Sequence, residues 1–140
     1  MPAKWTSFIV VMLGDRKGWG FDETTFPPLI ALMDSASPDY RRLRVPRGVT
    51  AYFLASPAGA RRAERLVARA AELRSNDAHF ESLGIGISTG QMLADFNWFG
   101  HLRSEPRVGT VATEAARLVR SAPDAYLPLL KSILNAYRHA

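Results

Sequence analysis

The sequence has 140 residues, 47% of them hydrophobic, which fills one core and is too short for two ordinary domains, so a single domain over residues 1–140 is expected; with no cysteine, disulfides, thiolate metal sites and cysteine nucleophiles are excluded. The formal charge of +5 is regional, because nine arginines between Arg41 and Arg74 face only Glu64 and Glu72, a net of +7 there and −2 over the rest. No apolar run approaches the roughly 20 residues of a membrane span, and Met1 to Ser7 lacks the charged and apolar regions of a signal peptide, so a cytoplasmic protein with no membrane partner is expected.

Ser7 to Gly14 is a short apolar run rich in β-branched residues and closed by glycine, which predicts a central strand buried on both faces. Asp15 to Gly20 reads as a turn, and Thr25 to Met33 as a helix with two prolines near its start. Arg41 to Val45 and Val49 to Leu54 are β-prone stretches on either side of Pro46-Arg47-Gly48, so they predict a hairpin with Arg47 at its tip. Ala58 to Leu73 carries Ala63, Leu66, Val67, Ala70 and Leu73 at helical spacing, with Arg61, Arg65 and Arg69 on the opposite side.

Ser82 to Thr89 reads as a strand in which Gly84 and Gly86 mark close approach of backbone or ligand, and Gly90 as the turn after it. Phe96, Trp98 and Phe99 alternate with polar residues within Gln91 to Arg107, which predicts a further strand or hairpin arm. Thr113 to Arg120 reads as a short helix, and Tyr126 to Tyr137 as a helix with Pro128 in its first turn. The order strand, helix, strand, strand, helix, strand predicts an α+β ferredoxin-like (βαββαβ) sandwich, with helices on one face of an antiparallel sheet and an extra C-terminal helix.

Three stretches in this order resemble the catalytic domain of the class III adenylyl and guanylyl cyclases. Asp15-Arg16-Lys17-Gly18-Trp19 is similar to that family's metal-binding strand end. Val45 to Phe53, followed by Ser56-Pro57-Ala58-Gly59-Ala60, is similar to its hairpin and the opening of its next helix. Gly84-Ile85-Gly86-Ile87-Ser88-Thr89-Gly90, then Gly109 and Ala115-Ala116-Arg117-Leu118, is similar to its later strand and helix. The stretches span Val10 to Leu118, about 110 of the 140 residues. The resemblance implies a nucleotidyl cyclase-type fold, a purine nucleotide as ligand, and a site formed between two protomers, hence a homodimer or a signalling-protein partner.

The family cyclises a nucleoside triphosphate with two cations on two aspartates, an Asn and an Arg at the transition state, and two side chains that read the purine. Carried over by resemblance, Asp15 takes the first metal position and Arg117 the transition-state arginine. The other four positions differ. Arg47 stands at the second metal aspartate, Thr113 at the transition-state Asn, and Leu43 and Thr110 at the base-reading positions. Gly18 is the glycine of the strand-end motif, and the chain is short at its C-terminus beside the family pattern. Reversing the charge at Arg47 leaves little to attract a second cation.

The expectation is therefore a degenerate cyclase-like domain, without turnover, that serves signalling by binding a nucleotide through Asp15, Gly18, Arg47, Thr110 and Arg117, or by binding a protein. An active cyclase using Arg117 and Thr113, with Mg²⁺ or Mn²⁺ on Asp15, is the alternative. A third reading, an Arg-rich nucleic-acid module, is the least favoured, because the aromatics Trp98 and Phe99 that could form a stacking platform lie elsewhere in the chain than the basic stretch. His79, His101 and His139 lack ligand spacing, and no Gly-x-Ser-x-Gly elbow occurs.

Overall fold

A computed structural model describes residues 4–18, 26–43, 48–94 and 110–138 of the chain. The elements in order are β1 (Lys4–Asp15), α1 (Phe26–Ala36), β2 (Tyr40–Leu43), β3 (Gly48–Leu54), α2 (Pro57–Asn76), a single 3₁₀ turn (Ala78–Phe80), β4 (Leu83–Ala94), α3 (Thr110–Val119) and α4 (Leu127–Tyr137). The four strands lie in the order β2-β3-β1-β4 and every neighbouring pair is antiparallel. This arrangement is compatible with an α+β ferredoxin-like sandwich.

β1 is central, as its composition predicts, and is longer than the apolar run alone: it pairs with β4 from Lys4 opposite Ala94 to Asp15 opposite Leu83. Residues 8–13 are all buried because both faces of the sheet are covered. Ile9, Val11 and Leu13 point into one core with Val49, Phe53, Leu83, Ile85 and Ile87; Phe8, Val10 and Met12 point into a second with Tyr52, Val111 and Ala115. The period-2 alternation along β1 thus divides its side chains between two apolar layers.

α1, α2 and α4 cover the first face, and α3 covers the second over β1 and β4. This corrects the expectation that all helices share one face. The reason lies in β4, whose side chains alternate large and small. Leu83, Ile85 and Ile87 fill the first core, whereas Gly84, Gly86 and Ser88 offer the other face almost no side chain. A Cβ on Gly86 would stand 1.8 Å from the Ala115 carbonyl oxygen, and one on Gly84 2.1 Å from that of Val119. The backbone of α3 rests directly on the strand, so these glycines serve a helix rather than a ligand.

Gly90 is a second correction. It lies inside β4 opposite Phe8 rather than in a turn, because pairing with β1 continues to Ala94. A Cβ there would come within 2.7 Å of Val111 at the start of α3. The predicted arm beyond β4, including Phe96, Trp98 and Phe99, lies outside the described residues.

α2 is the longest helix and is started by Ser56, whose side chain accepts the Gly59 N–H at 3.0 Å. Its predicted stripe is realised, with Ala63, Leu66, Val67 and Ala70 buried. Two arginines on α2 tie it to its surroundings. Arg62 donates to both Asp39 oxygens at 3.1 Å and to the Ser37 carbonyl at 2.6 Å, while Asp39 also accepts the Leu54 N–H at 2.6 Å. Arg74 donates to the Pro123 carbonyl at 2.9 Å and to Asp124 at 3.1 Å, which anchors the connection between α3 and α4.

α4 begins after buried Tyr126, with Pro128 in its first turn as predicted. Ile133 is buried, and Leu130, Leu134 and Tyr137 pack against the first core.

Two outcomes follow from this packing. Gly86→Ala forces α3 off β4, and urea unfolding should show a loss of about 1–3 kcal/mol; a loss below about 0.5 kcal/mol would show that the seat is compliant. Burial of the Tyr126 ring raises its hydroxyl above the ordinary pKa, against the opposing pull of Arg74. The folded state then holds that proton more tightly than the unfolded chain, so its stabilisation is complete below about pH 10 and is lost as pH rises beyond. Melting temperatures measured from about pH 9 to 11 should fall less steeply in Tyr126→Phe than in the parent. Parallel curves would contradict it.

Candidate functional site

Asp15 is the last residue of β1, opposite Leu83 of β4 and one residue beyond the last pairing with β3 at Gly14 and Gly48. The chain then turns sharply. Arg16 N–H donates to the Ser82 carbonyl at 2.8 Å, Gly18 N–H donates to the Asp15 carbonyl at 2.9 Å, and Asp15 Oδ1 accepts the Lys17 N–H at 2.9 Å. Gly18 has φ +77, in the left-handed region that glycine occupies without cost. Asp15 is therefore a turn former and a cleft residue at once: one carboxylate oxygen closes its own loop, and the half-buried side chain borders a cleft.

That cleft lies between the end of β1 and the last turns of α3, where Gly14, Asp15 and Gly18 face Ala116, Val119 and Arg120. The two sides meet here because α3 sits so close to β4. Val111, Ala115 and Val119 form the stripe that packs onto the sheet, so Ala116 and Arg120, one position further round the helix, face past its edge.

The structure brings Asp15 and Gly18 together, and adds Arg120, which sequence reasoning missed. The signal was available in the spacing. Once the buried stripe of α3 is assigned, the neighbouring i, i+4 pair 116 and 120 is the one that borders the strand end. Arg117 and Thr113 are both exposed and line no part of this cleft. The Arg117 guanidinium donates to Glu114 Oε2 at 2.6 Å, a pair on the same helix with 64% of the arginine side chain exposed. Such a pair is a weak tether.

Thr110 opens α3, but its side chain lies outside the described residues, as does that of Leu43 at the end of β2. Arg47 lies outside them altogether. Among the described residues no group of three or more His, Asp or Glu side chains is placed to hold a metal ion. His79 pairs with Asp77, whose carboxylate accepts the His79 N–H at 2.9 Å and meets the ring Nδ1 at 3.0 Å. The backbone bond is the main cause that holds Asp77 below the usual carboxylate range.

The basic stretch is divided by the fold. Arg41 pairs with Asp34, Arg62 with Asp39 and Arg74 with Asp124. Arg61, Arg65 and Arg69 remain exposed on the outer side of α2. Among the described residues no helix is long and apolar enough to cross a membrane.

No family model matches this sequence, and no curated protein does. Among solved structures, the chain is similar to a bacterial light-regulated adenylyl cyclase at a TM-score of 0.51 and 14% identity, over 85% of this chain and 41% of that one. A second structure of a bacterial light-regulated adenylyl cyclase gives a TM-score of 0.52 and 14% identity, over 82% of this chain and 69% of that one. The chain thus spans about two fifths of the first of these proteins. At this identity the likeness is one of fold: the α+β sheet and helices described above are adenylyl cyclase-like in arrangement.

Proposed function

We propose that this chain is a nucleotidyl cyclase-like domain without cyclase turnover, which serves signalling as a nucleotide-binding or protein-interaction module. The observation that carries the reading is the make-up of the strand-end cleft: Asp15 is its one carboxylate among the described residues, and Arg120, directly after α3, lines the same cleft. Two further features support it. The fold is adenylyl cyclase-like in arrangement, and the arginine expected at the transition state, Arg117, lines no part of the cleft.

The residues present do not fit a two-cation site. A pair of divalent ions needs several hard oxygen ligands, preferably from two carboxylates. Here one oxygen of Asp15 is already taken by the Lys17 N–H, an arginine borders the same cleft, and Arg47 occupies the position that the cyclase resemblance gives to the second aspartate. Loss of single transition-state contacts costs about 10² to 10³ in rate each, so the combined departures remove useful turnover. A guanidinium is suited instead to holding a phosphate by paired hydrogen bonds.

Incubation with ATP or GTP and Mn²⁺ is expected to yield no cyclic nucleotide. Formation of a cyclic product that disappears in Asp15→Ala would overturn the proposal. Calorimetry with ATP, GTP and the cyclic nucleotides then decides between the two kinds of module, since heat released in the parent and lost in Arg120→Gln identifies a phosphate-holding cleft, and its absence leaves protein interaction.

A further inference from the structure

A second concavity lies between the first turns of α2 and the last turn of α4. Pro57, Ala60, Leu134 and Tyr137 give it an apolar floor, and Arg61 and Arg138 stand at its rim. It is remote from the strand-end cleft. The segment leading into α2 is bonded to the beginning of β1, Ala55 N–H donating to the Ser7 carbonyl at 3.1 Å, whereas Asp15 ends that strand.

The charges at this rim differ from the paired arginines elsewhere in the fold. Arg41, Arg62, Arg74 and Arg117 each have an acidic partner, whereas Arg65 and Arg69 stand exposed further along α2. Arg61 and Arg138 have none among the described residues, and the first turn of α2 contains no acidic residue. Glu64 lies on the same rim and makes no ion pair among the described residues. Two guanidinium groups and one carboxylate leave a small net positive charge, which matches one anionic head rather than a polyanion.

The groove has a volume of about 160 Å³, below the range of drug-sized ligand sites, so it admits only a small body. Its floor suits a flat or short apolar body, and Tyr137 offers an aromatic face beside the two cations.

We propose that the α2–α4 groove binds a small amphiphilic anion, an aromatic or short aliphatic body bearing a single carboxylate or phosphate, with the body on Ala60, Leu134 and Tyr137 and the head between Arg61 and Arg138. A ligand so placed bridges α2 and α4. It therefore stabilises the docking of the C-terminal helix, which otherwise rests on Ile133 and its neighbours and on the tie from Arg74 to Asp124. The site is independent of the proposed cleft at Asp15.

The test is an amide-resonance titration of the whole chain with phenyl phosphate and phenylacetate, and with inorganic phosphate, benzyl alcohol and a mixed-sequence oligonucleotide as contrasts. Saturable shifts at Ala60, Arg61, Leu134 and Tyr137 are expected with at least one of the two amphiphilic anions, with the Asp15 resonance unmoved. Whichever head group saturates identifies the chemistry. Arg61→Gln and Arg138→Gln should each weaken that binding at least tenfold while leaving the melting temperature of the free protein within error. The proposal is overturned if neither anion gives saturable shifts, or if inorganic phosphate or benzyl alcohol does so equally well. It is also overturned if both variants bind as the parent does, or if the oligonucleotide alone produces shifts that run on to Arg65 and Arg69.

Discussion

The contact on which the arrangement depends is backbone against backbone, where α3 lies on the glycine face of β4. In ordinary helix–sheet packing a layer of side chains fills the space between the two backbones. Gly84 and Gly86 remove that layer, and the carbonyls of Ala115 and Val119 come within about 2 Å of where a Cβ would stand. Such an approach admits only glycine at those strand positions. It also fixes the rotation of α3, since Val111, Ala115 and Val119 must face the sheet. Once that stripe is set, Ala116 and Arg120 border the end of β1, and Thr113 and Arg117 face outward. The identity of the arginine in the cleft is thus a consequence of glycines on another strand.

The opposite face of the sheet, under α1, α2 and α4, is assembled by larger side chains and by a few charged ties. Arg62 and Asp39 gather three segments, the end of α1, the start of β2 and the end of β3, and Arg74 with Asp124 holds the link between α3 and α4. The Arg62–Asp39 pair is partly buried on both sides and shared among several hydrogen bonds, and Arg74 is itself largely buried although Asp124 is exposed, so both ties differ from isolated surface pairs. They also change the meaning of the basic stretch. Among the described residues, arginines that look in sequence like one positive patch are divided between ties to Asp34, Asp39 and Asp124 and the exposed set Arg61, Arg65 and Arg69.

Much of this architecture is legible in the residue pattern. The two-sided burial of Phe8 to Leu13 follows from a β-branched run with no polar interruption, and the buried face of α2 follows from the spacing of Ala63, Leu66, Val67 and Ala70. The placement of α3 was not read, although the alternation of Gly84, Gly86 and Gly90 with larger residues carries it. Glycine in a strand signals a close approach without saying whether a ligand or a helix approaches, and the answer depends on a segment some twenty residues later. Gly90 misled for a related reason, since glycine is as acceptable in a strand whose face must be bare as in a turn. At the strand end, the placement of Asp15 and Gly18 is legible because a strand end followed by a turn is a local signal. The placement of Arg120 beside the same cleft is not, because it rests on the tertiary seating of α3. Arg117 is singled out by resemblance alone, and its partner Glu114 stands three residues earlier on the helix.

Among the described residues the strand-end cleft holds one carboxylate, already committed in part to its own turn, and is bordered by an arginine where a cation site would need a second acid. The most direct measurement is paramagnetic relaxation by Mn²⁺ in the presence of ATP, read from the amide resonances of Gly14 to Gly18 and of Ala116 to Arg120. The account predicts that substoichiometric Mn²⁺ leaves these resonances no more broadened than the rest of the surface. Selective broadening at Asp15 and its neighbours, reversed by Asp15→Ala, would contradict it and restore a metal-dependent cyclase site to this fold.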